Sequence, residues 1–231
     1  MSWLSIIVPT LNEAQLIVPL LTRIQAMRER GHEVVVVDGG STDGTPELAA
    51  PLADQVLAAP PGRALQMNVG ATRARGVALL FLHADTRLPD DALNAVDRAL
   101  NRHRWGRFDV RLDSRLPLLR LVARMMNLRS RLTGIATGDQ ALFVTRAAFE
   151  SVGGFPEQPL MEDIELSRQL KKIGPPACLR LRVVTSARRW EEHGAWRTIL
   201  LMWRLRWAYW RGAHPARLAQ HYNRPVREMK P

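Results

Sequence analysis

Residues 33–45 read EVVVVDGGSTDGT. Four consecutive valines form a run too short for a buried helix, and their β-branched side chains suit a strand covered on both faces. Asp38 ends the run, and Gly39 and Gly40 allow a tight turn against a ligand. Ser41, Thr42 and Asp43 then offer oxygens that can cap a following helix. An ordinary strand-to-helix turn and a nucleotide-binding turn both fit this segment. Its glycines do not follow the G-x-G-x-x-G spacing of dehydrogenase folds.

The same pattern recurs on either side. LSIIVPT (4–10), DQVLAA (54–59) and ALLFLHA (78–84) are further apolar runs that end at polar or Gly and Pro punctuation. Between the runs, 13–31, 41–53 and 62–76 carry apolar residues at helical spacing. The order β-α-β-α-β-α-β predicts an α/β fold. Its mostly parallel, Rossmann-like sheet would carry helices on both faces and gather ligand chemistry at the carboxyl ends of the strands. The second half is less regular. Helices are expected over 90–103, 116–132 and 162–174, and strands over 106–112, 140–145 and 178–186.

The chain has 231 residues, 46% of them hydrophobic, enough for one sizeable core. Cys178 is the single cysteine, which excludes an intrachain disulfide and a thiolate zinc site. The start, MSWLSIIVPTLNE, lacks a basic leader, and no run of eighteen apolar residues occurs. A cytoplasmic protein without a transmembrane helix is therefore expected. The net charge of +11 would attract polyanions, or would serve solubility alone. No nucleic-acid motif accompanies it, and the arginines interleave with Leu, Met and Trp, which suits a lipid or protein surface better than nucleic acid.

In so basic a chain the acids at strand ends are informative. Asp85 closes the run VALLFL, where a lone carboxylate is costly unless a cation or hydrogen-bond donors meet it. His83 lies two residues earlier and so on the same strand face, as a ligand to Mn or Mg or as a hydrogen-bonding strand-end residue. Glu162 and Asp163 stand at the mouth of a helix, where they are either simple caps or a base with its support.

VPTLNE, VVVDGGSTDGT, FLHADT, GDQALFV and GGFPEQPLMEDIELSRQLKKIG, in this order, resemble family 2 glycosyltransferases of the A-type fold. FLHADT and GDQALFV, with TSARRW, are similar to a bacterial subgroup of small, soluble, single-domain members. The resemblance covers about residues 3–190 and implies an inverting displacement, in which an acceptor hydroxyl attacks the anomeric carbon of a UDP- or GDP-activated sugar. It implies that Pro9, Thr10 and Glu13 line the base and ribose pocket, and that Asp38 bonds the nucleobase or ribose. Asp85 would coordinate a divalent cation, Mn or Mg, on the diphosphate, with His83 as a second ligand or a phosphate contact. Asp163 would be the general base supported by Glu162, and Gly138, Asp139 and Gln140 would lie beside the donor sugar. Arg188 and Arg189 could grip the diphosphate and Trp190 could stack on a sugar ring; the alternative is surface arginines and a core tryptophan. His193 is expected to be no ligand.

Two positions depart from the family pattern: paired aspartates become Asp38-Gly39, and the metal motif Asp-x-Asp becomes His83-Ala84-Asp85. A non-catalytic nucleotide-sugar or polyanion-binding protein on the same fold is the competing reading. A sugar-phosphate nucleotidyltransferase would need a Gly- and Lys-rich loop that PTLNEAQ does not supply. The expected division is a catalytic domain over 1–190, with a nucleotide half (1–89) and an acceptor half (90–190), followed by a helical tail over 191–231.

In that tail, residues 195–211 (AWRTILLMWRLRWAYWR) form an amphipathic helix with two apolar faces. Trp196, Ile199, Leu200, Trp203, Trp207 and Trp210 share one, and Leu201, Leu205, Ala208 and Tyr209 the other. Arg206 falls on one seam between them, opposite Arg197, Arg204 and Arg211. One face would pack on the domain. The other would meet a membrane surface, as a peripheral contact at its inner face, or a second subunit, or would be buried within the molecule. The acceptor would be an unidentified hydroxyl compound, free or lipid-linked.

Overall fold

The structure is a computed structural model that describes residues 3–223. Its strands are β1 (Leu4–Thr10), β2 (Glu33–Asp38), β3 (Gln55–Ala58), β4 (Ala78–Phe81), β5 (Thr86–Arg87), β6 (Trp105–Asp113), β7 (Phe143–Thr145) and β8 (Ala177–Ser186). They form one sheet in the order β3-β2-β1-β4-β7-β6-β8-β5. The first four are parallel neighbours, with Thr10 opposite Asp38 and Ile7 opposite Phe81. The pairs β4–β7, β6–β7 and β5–β8 are antiparallel, whereas β6 and β8 run parallel. The sheet is thus an α/β sheet, parallel in its first half and mixed in its second. The carboxyl ends of β1, β2 and β4 share one edge, where residues 10–13, 38–45 and 82–85 emerge.

The helices are α1 (Ala14–Glu29), α2 (Thr45–Ala49), α3 (Arg63–Arg73), α4 (Ala92–Leu100), α5 (Pro117–Thr133), α6 (Arg146–Ser151), α7 (Glu162–Ile173), α8 (Arg188–His193), α9 (Ala195–Trp210) and α10 (Pro215–Asn223). Alternate strand residues feed opposite faces of the sheet. Ile6, Val8, Val34 and Val36 pack under α1 and α4, against Ile17, Leu21, Leu93 and Val96. Ile7, Val35, Val37 and Leu79 pack on the other face, under α3 and α7, against Met67, Ala71, Leu166 and Leu170. Each such side chain contributes about 1.5–3 kcal/mol on burial. This double coverage is why the β2 run shows no polar alternation.

Several boundaries differ from the sequence expectation, for local reasons. The helix expected over 41–53 shrinks to α2 because Gly44 turns left-handed before it and Pro51 follows in a 3-10 turn. The strand expected from 140 starts at Phe143, since Gly138–Gln140 winds into a 3-10 turn and Ala141 takes φ 45°. The β6 strand lengthens to nine residues around a bulge between Phe108 and Asp109. Short elements β5, α6, α8 and α10 carry too little periodicity to be read from sequence.

The C-terminal helices are integrated into this framework. Ile199 and Ala195 pack with Trp190 on Leu112, Leu119, Val122 and Ala123, which joins α9 to α5 and β6. Farther along, Leu201, Leu205, Ala208 and Tyr209 pack with Leu160, Met161 and Ile164 at the mouth of α7 and with Leu218 of α10. The second apolar face of α9 stays open: Trp196, Leu200, Trp203, Trp207 and Trp210 are each more than half exposed. Ile199 leaves the expected outer face for the α5 contact.

Candidate active site

The site assembles where the parallel strands end. The β4 strand delivers His83 and Asp85, and the latter is fixed by Ser186 N–H donating to its carbonyl (3.2 Å). Its Oδ1 accepts from Thr86 Oγ1 (3.1 Å) and Thr185 Oγ1 (3.4 Å), across the β5–β8 pairing. The 3-10 turn brings Gly138 against His83. A Cβ at Gly138 would lie 2.6 Å from His83 Cε1, so only glycine fits this approach. The same residue donates its N–H to Asp163 Oδ2 (2.8 Å) at the start of α7. Three separated segments, 83–85, 138–139 and 162–163, thereby meet in one place.

The charges confirm this convergence. Burial raises the carboxyl of Asp139, as do the charges of Asp85 and Asp163, against the pull of His83 and Arg63. Burial raises Glu162 to about 7, Asp163 adds to it, and Arg63 opposes it. Glu13 is raised by burial and by Asp85, with Arg188 and Arg63 lowering it. The His83 imidazole is pushed down by burial and by Arg63 despite the carboxylates around it, which favours the neutral ring. Glu13, His83, Asp85, Asp139, Glu162, Asp163, Arg63 and Arg188 therefore form one electrostatic unit.

The sequence model described as Glycosyl transferase family 2 matches residues 5–133, more than half of the chain. The chain belongs to glycosyl transferase family 2. No curated protein sequence matches it. Among solved structures, it is similar to a mannosyltransferase from Pyrobaculum calidifontis in complex with GDP-Man and Mn2+. The identity is 25% and the TM-score 0.67, over 89% of this chain and 60% of that one. TarS of S. aureus, residues 1–349, is 20% identical with a TM-score of 0.61, over 80% of this chain and 60% of that one. Glucosyl-3-phosphoglycerate synthase from Mycobacterium tuberculosis, in complex with Mn2+, UDP and glucosyl-3-phosphoglycerate, is 19% identical with a TM-score of 0.60, over 80% and 71%. The chain thus spans three fifths of the first two, and these likenesses establish the A-type glycosyltransferase fold.

Within this family 2 framework, several expected site residues play supporting parts. Asp38 accepts from Gly40 N (2.9 Å), Ser41 N (2.7 Å), Ser41 Oγ (2.5 Å) and Thr10 Oγ1 (3.2 Å), so its carboxylate braces the glycine turn from within. Pro9 and Thr10 are buried at the end of β1. A Cβ at Gly39 would lie 3.0 Å from Gln66 Nε2 and 3.3 Å from Pro61 Cα, so a side chain there would press on Gln66, whose Nε2 donates to the Thr10 (2.6 Å) and Val37 (2.9 Å) carbonyls. Gln140 is fully buried and accepts from Thr137 N (3.2 Å). Trp190 joins the apolar cluster between β6 and α9. Arg189 stacks 3.6 Å from the Tyr222 ring and donates to the Tyr222 carbonyl (2.8 Å), tying α10 down. Arg188, by contrast, lines with Asp85, Arg87, Asp113 and Glu191 an open cavity of about 350 Å³. That cavity reaches Asp85 but not Asp163.

Arg63 lies in none of the motifs that mark the acids at strand ends or the Arg188-Arg189 pair. It follows β3 and opens α3, solvent-exposed at the cleft yet felt by Glu13, His83, Asp139, Glu162 and Asp163. Arg129 and Arg206 were missed too, although Arg206 was already set apart on its own seam of α9. Among the described residues no group of three or more His, Cys, Asp or Glu is placed to hold a metal by protein ligands alone. The donor set does fit a cation that keeps substrate oxygens and waters: among the described residues Asp85 Oδ2 has no hydrogen-bond partner, and Asp85 sits among mutually repelling carboxyls that a cation would relieve.

Proposed function

We propose that this chain transfers a glycosyl group from a nucleoside-diphosphate sugar to an acceptor hydroxyl with inversion at the anomeric carbon. The observation that carries the reading is the Gly138 bridge. One glycine contacts the His83 ring and donates to Asp163 Oδ2, so a base stands beside the strand end that carries Asp85. Asp163 takes the acceptor proton, the freed oxygen bonds to the anomeric carbon, and the bond from that carbon to the diphosphate breaks with its electrons leaving on the nucleotide. Glu162, whose carboxyl is raised to about 7 by burial and by its neighbour, holds its proton more firmly than an ordinary carboxylate, which keeps the proton-accepting role on Asp163.

Asp85, with His83 as second ligand, would hold Mn or Mg, which supplies charge neutralisation to the departing diphosphate. Arg63 and Arg188 add fixed positive charge on the same side, and Glu13 lines the nucleotide pocket between them. The family match, and solved relatives bound to GDP-Man with Mn2+ and to UDP, support this donor class. The test is Asp163→Asn: nucleotide affinity should persist while transfer falls by roughly a hundredfold or more. Unchanged transfer would remove Asp163 from the role, and absence of transfer in wild type with every donor would favour the non-catalytic binding reading.

The same proposal places the acceptor at a lipid surface. Leu121, Met125, Leu128 and Leu132 make an exposed stripe on α5 that accompanies the tryptophan stripe of α9, and Arg120, Arg124, Arg197, Arg204 and Arg211 accompany both. Exposed aromatic residues flanked by arginines match the interface of an anionic bilayer. No helix among the described residues is long and apolar enough to cross one.

A further inference from the structure

The inference concerns the acceptor and rests on the transferase reading above. Among the described residues, Arg129 Nε and Nη2, on α5, are shut off from solvent and have no hydrogen-bond partner. A guanidinium carries five donors, and burying it unpaired is costly. The neighbouring arginines show the ordinary solution: Arg107 and Arg131 share the carboxylate of Asp109. Arg129 has instead Arg206 and Arg107 repelling it, with Asp163 drawing it the other way, and burial first and these cations second bring it down to about 10.

Arg206 comes from α9, next to Leu205, which is wedged against Leu160 and Met161 at the mouth of α7. Among the described residues it forms no ion pair, and burial lowers it despite Asp163 and Asp139. The site arginines differ in their company. Arg63 acts on Glu13 and His83 at the donor end as well as on Glu162 and Asp163, and Arg188 acts on Glu13, whereas Arg129 has Asp163 as its acidic neighbour. A donor diphosphate at Asp85 therefore leaves Arg129 without an anion.

We propose that Arg129 and Arg206 form an anion subsite for the acceptor, and that the acceptor carries a phosphate group near the hydroxyl that Asp163 deprotonates. Two guanidinium groups match the double charge and three oxygens of a phosphate monoester better than one carboxylate. A soluble phosphate ester and a phospholipid headgroup share that chemistry.

The test first titrates UDP and GDP with manganese, then titrates glycerol 1-phosphate and dihexanoyl phosphatidic acid into protein saturated with the nucleotide that binds. Wild type, Arg129→Met, Arg206→Gln and the exposed control Arg23→Gln, on α1 and outside both the cleft and the tryptophan stripe, are compared. Wild type and the control should bind a phosphate compound, and Arg129→Met and Arg206→Gln should weaken it by roughly tenfold or more with nucleotide affinity unchanged. Arg129→Met should also melt above wild type without ligand, because it removes an unpaired buried charge; a purely structural arginine would give the opposite. Tighter binding of the lipid would identify a headgroup, and equal binding a soluble ester. The subsite is overturned if nucleotide binds but no phosphate compound does, if the variants bind as wild type, or if Arg129→Met melts lower. Phosphate binding with no nucleotide binding would uphold the anion site and sink the transferase reading instead.

Discussion

Replacing Glu162 by Gln should stabilise the protein at alkaline pH and do almost nothing at acid pH. Glu162 is 6% exposed and its carboxyl is raised from 4.5 to about 7 by burial first and by Asp163 second. A raised carboxyl favours folding in its protonated form, so its contribution is intact below the unfolded value and is lost as pH climbs through the window from 4.5 to about 7. At about 1.4 kcal/mol per pH unit, the loss is on the order of 3 kcal/mol by pH 8. Glutamine copies the neutral acid and has no such loss. Urea unfolding of both proteins, from about pH 4.5 to 8.5, should show their stabilities diverging as pH rises, with the variant ahead. In an Asp163→Asn background the gap should shrink, because one of the two causes is gone. Equal stability at pH 8.5, or a less stable variant, would refute the claim that Glu162 is a buried acid under pressure from its neighbour.

Other consequences follow from named contacts. Gly138→Ala would set a Cβ 2.6 Å from His83 Cε1. It should cost about 1–3 kcal/mol in urea unfolding and depress transfer more than nucleotide affinity, since it pushes the turn off Asp163. Asp109→Asn would leave the fully buried Arg107 without its counter-charge and should destabilise by about 3–5 kcal/mol; Arg107→Met combined with Asp109→Leu should recover most of it. Trp203→Glu with Trp207→Glu should abolish co-sedimentation with vesicles containing anionic lipid. A wild type that stays free of vesicles but sediments as a dimer would assign the stripe to a subunit contact instead.

The first half of the fold was legible because β1, β2 and β4 are buried on both faces and every run there ends at polar or Gly and Pro punctuation. Asp85 and Asp163 stood out as acids in a basic chain, and the structure brings them into one site. Asp38 was just as conspicuous, yet its oxygens are taken by the turn it closes, which only a hydrogen-bond inventory reveals. The Gly138 contact depends on a ring 55 positions away in sequence and left no local pattern. Arg63, Arg129 and Arg206 belong to three helices whose sequences show only one more arginine among many. Arg63 is selected by the carboxylates around it, and Arg129 and Arg206 by their place beside Asp163, with two nitrogens of Arg129 shut off from solvent; all are properties of packing.

The central claim, that Asp85 and the residues around it form a metal-assisted nucleotide-sugar site, is tested most directly by calorimetric titration. UDP, GDP and their sugar conjugates are titrated into wild type and Asp85→Ala, each with and without manganese. The account predicts that one nucleotide binds wild type with manganese, and that removing either the metal or the Asp85 carboxylate abolishes that binding. Nucleotide affinity that is indifferent to both, or absent throughout, would contradict it.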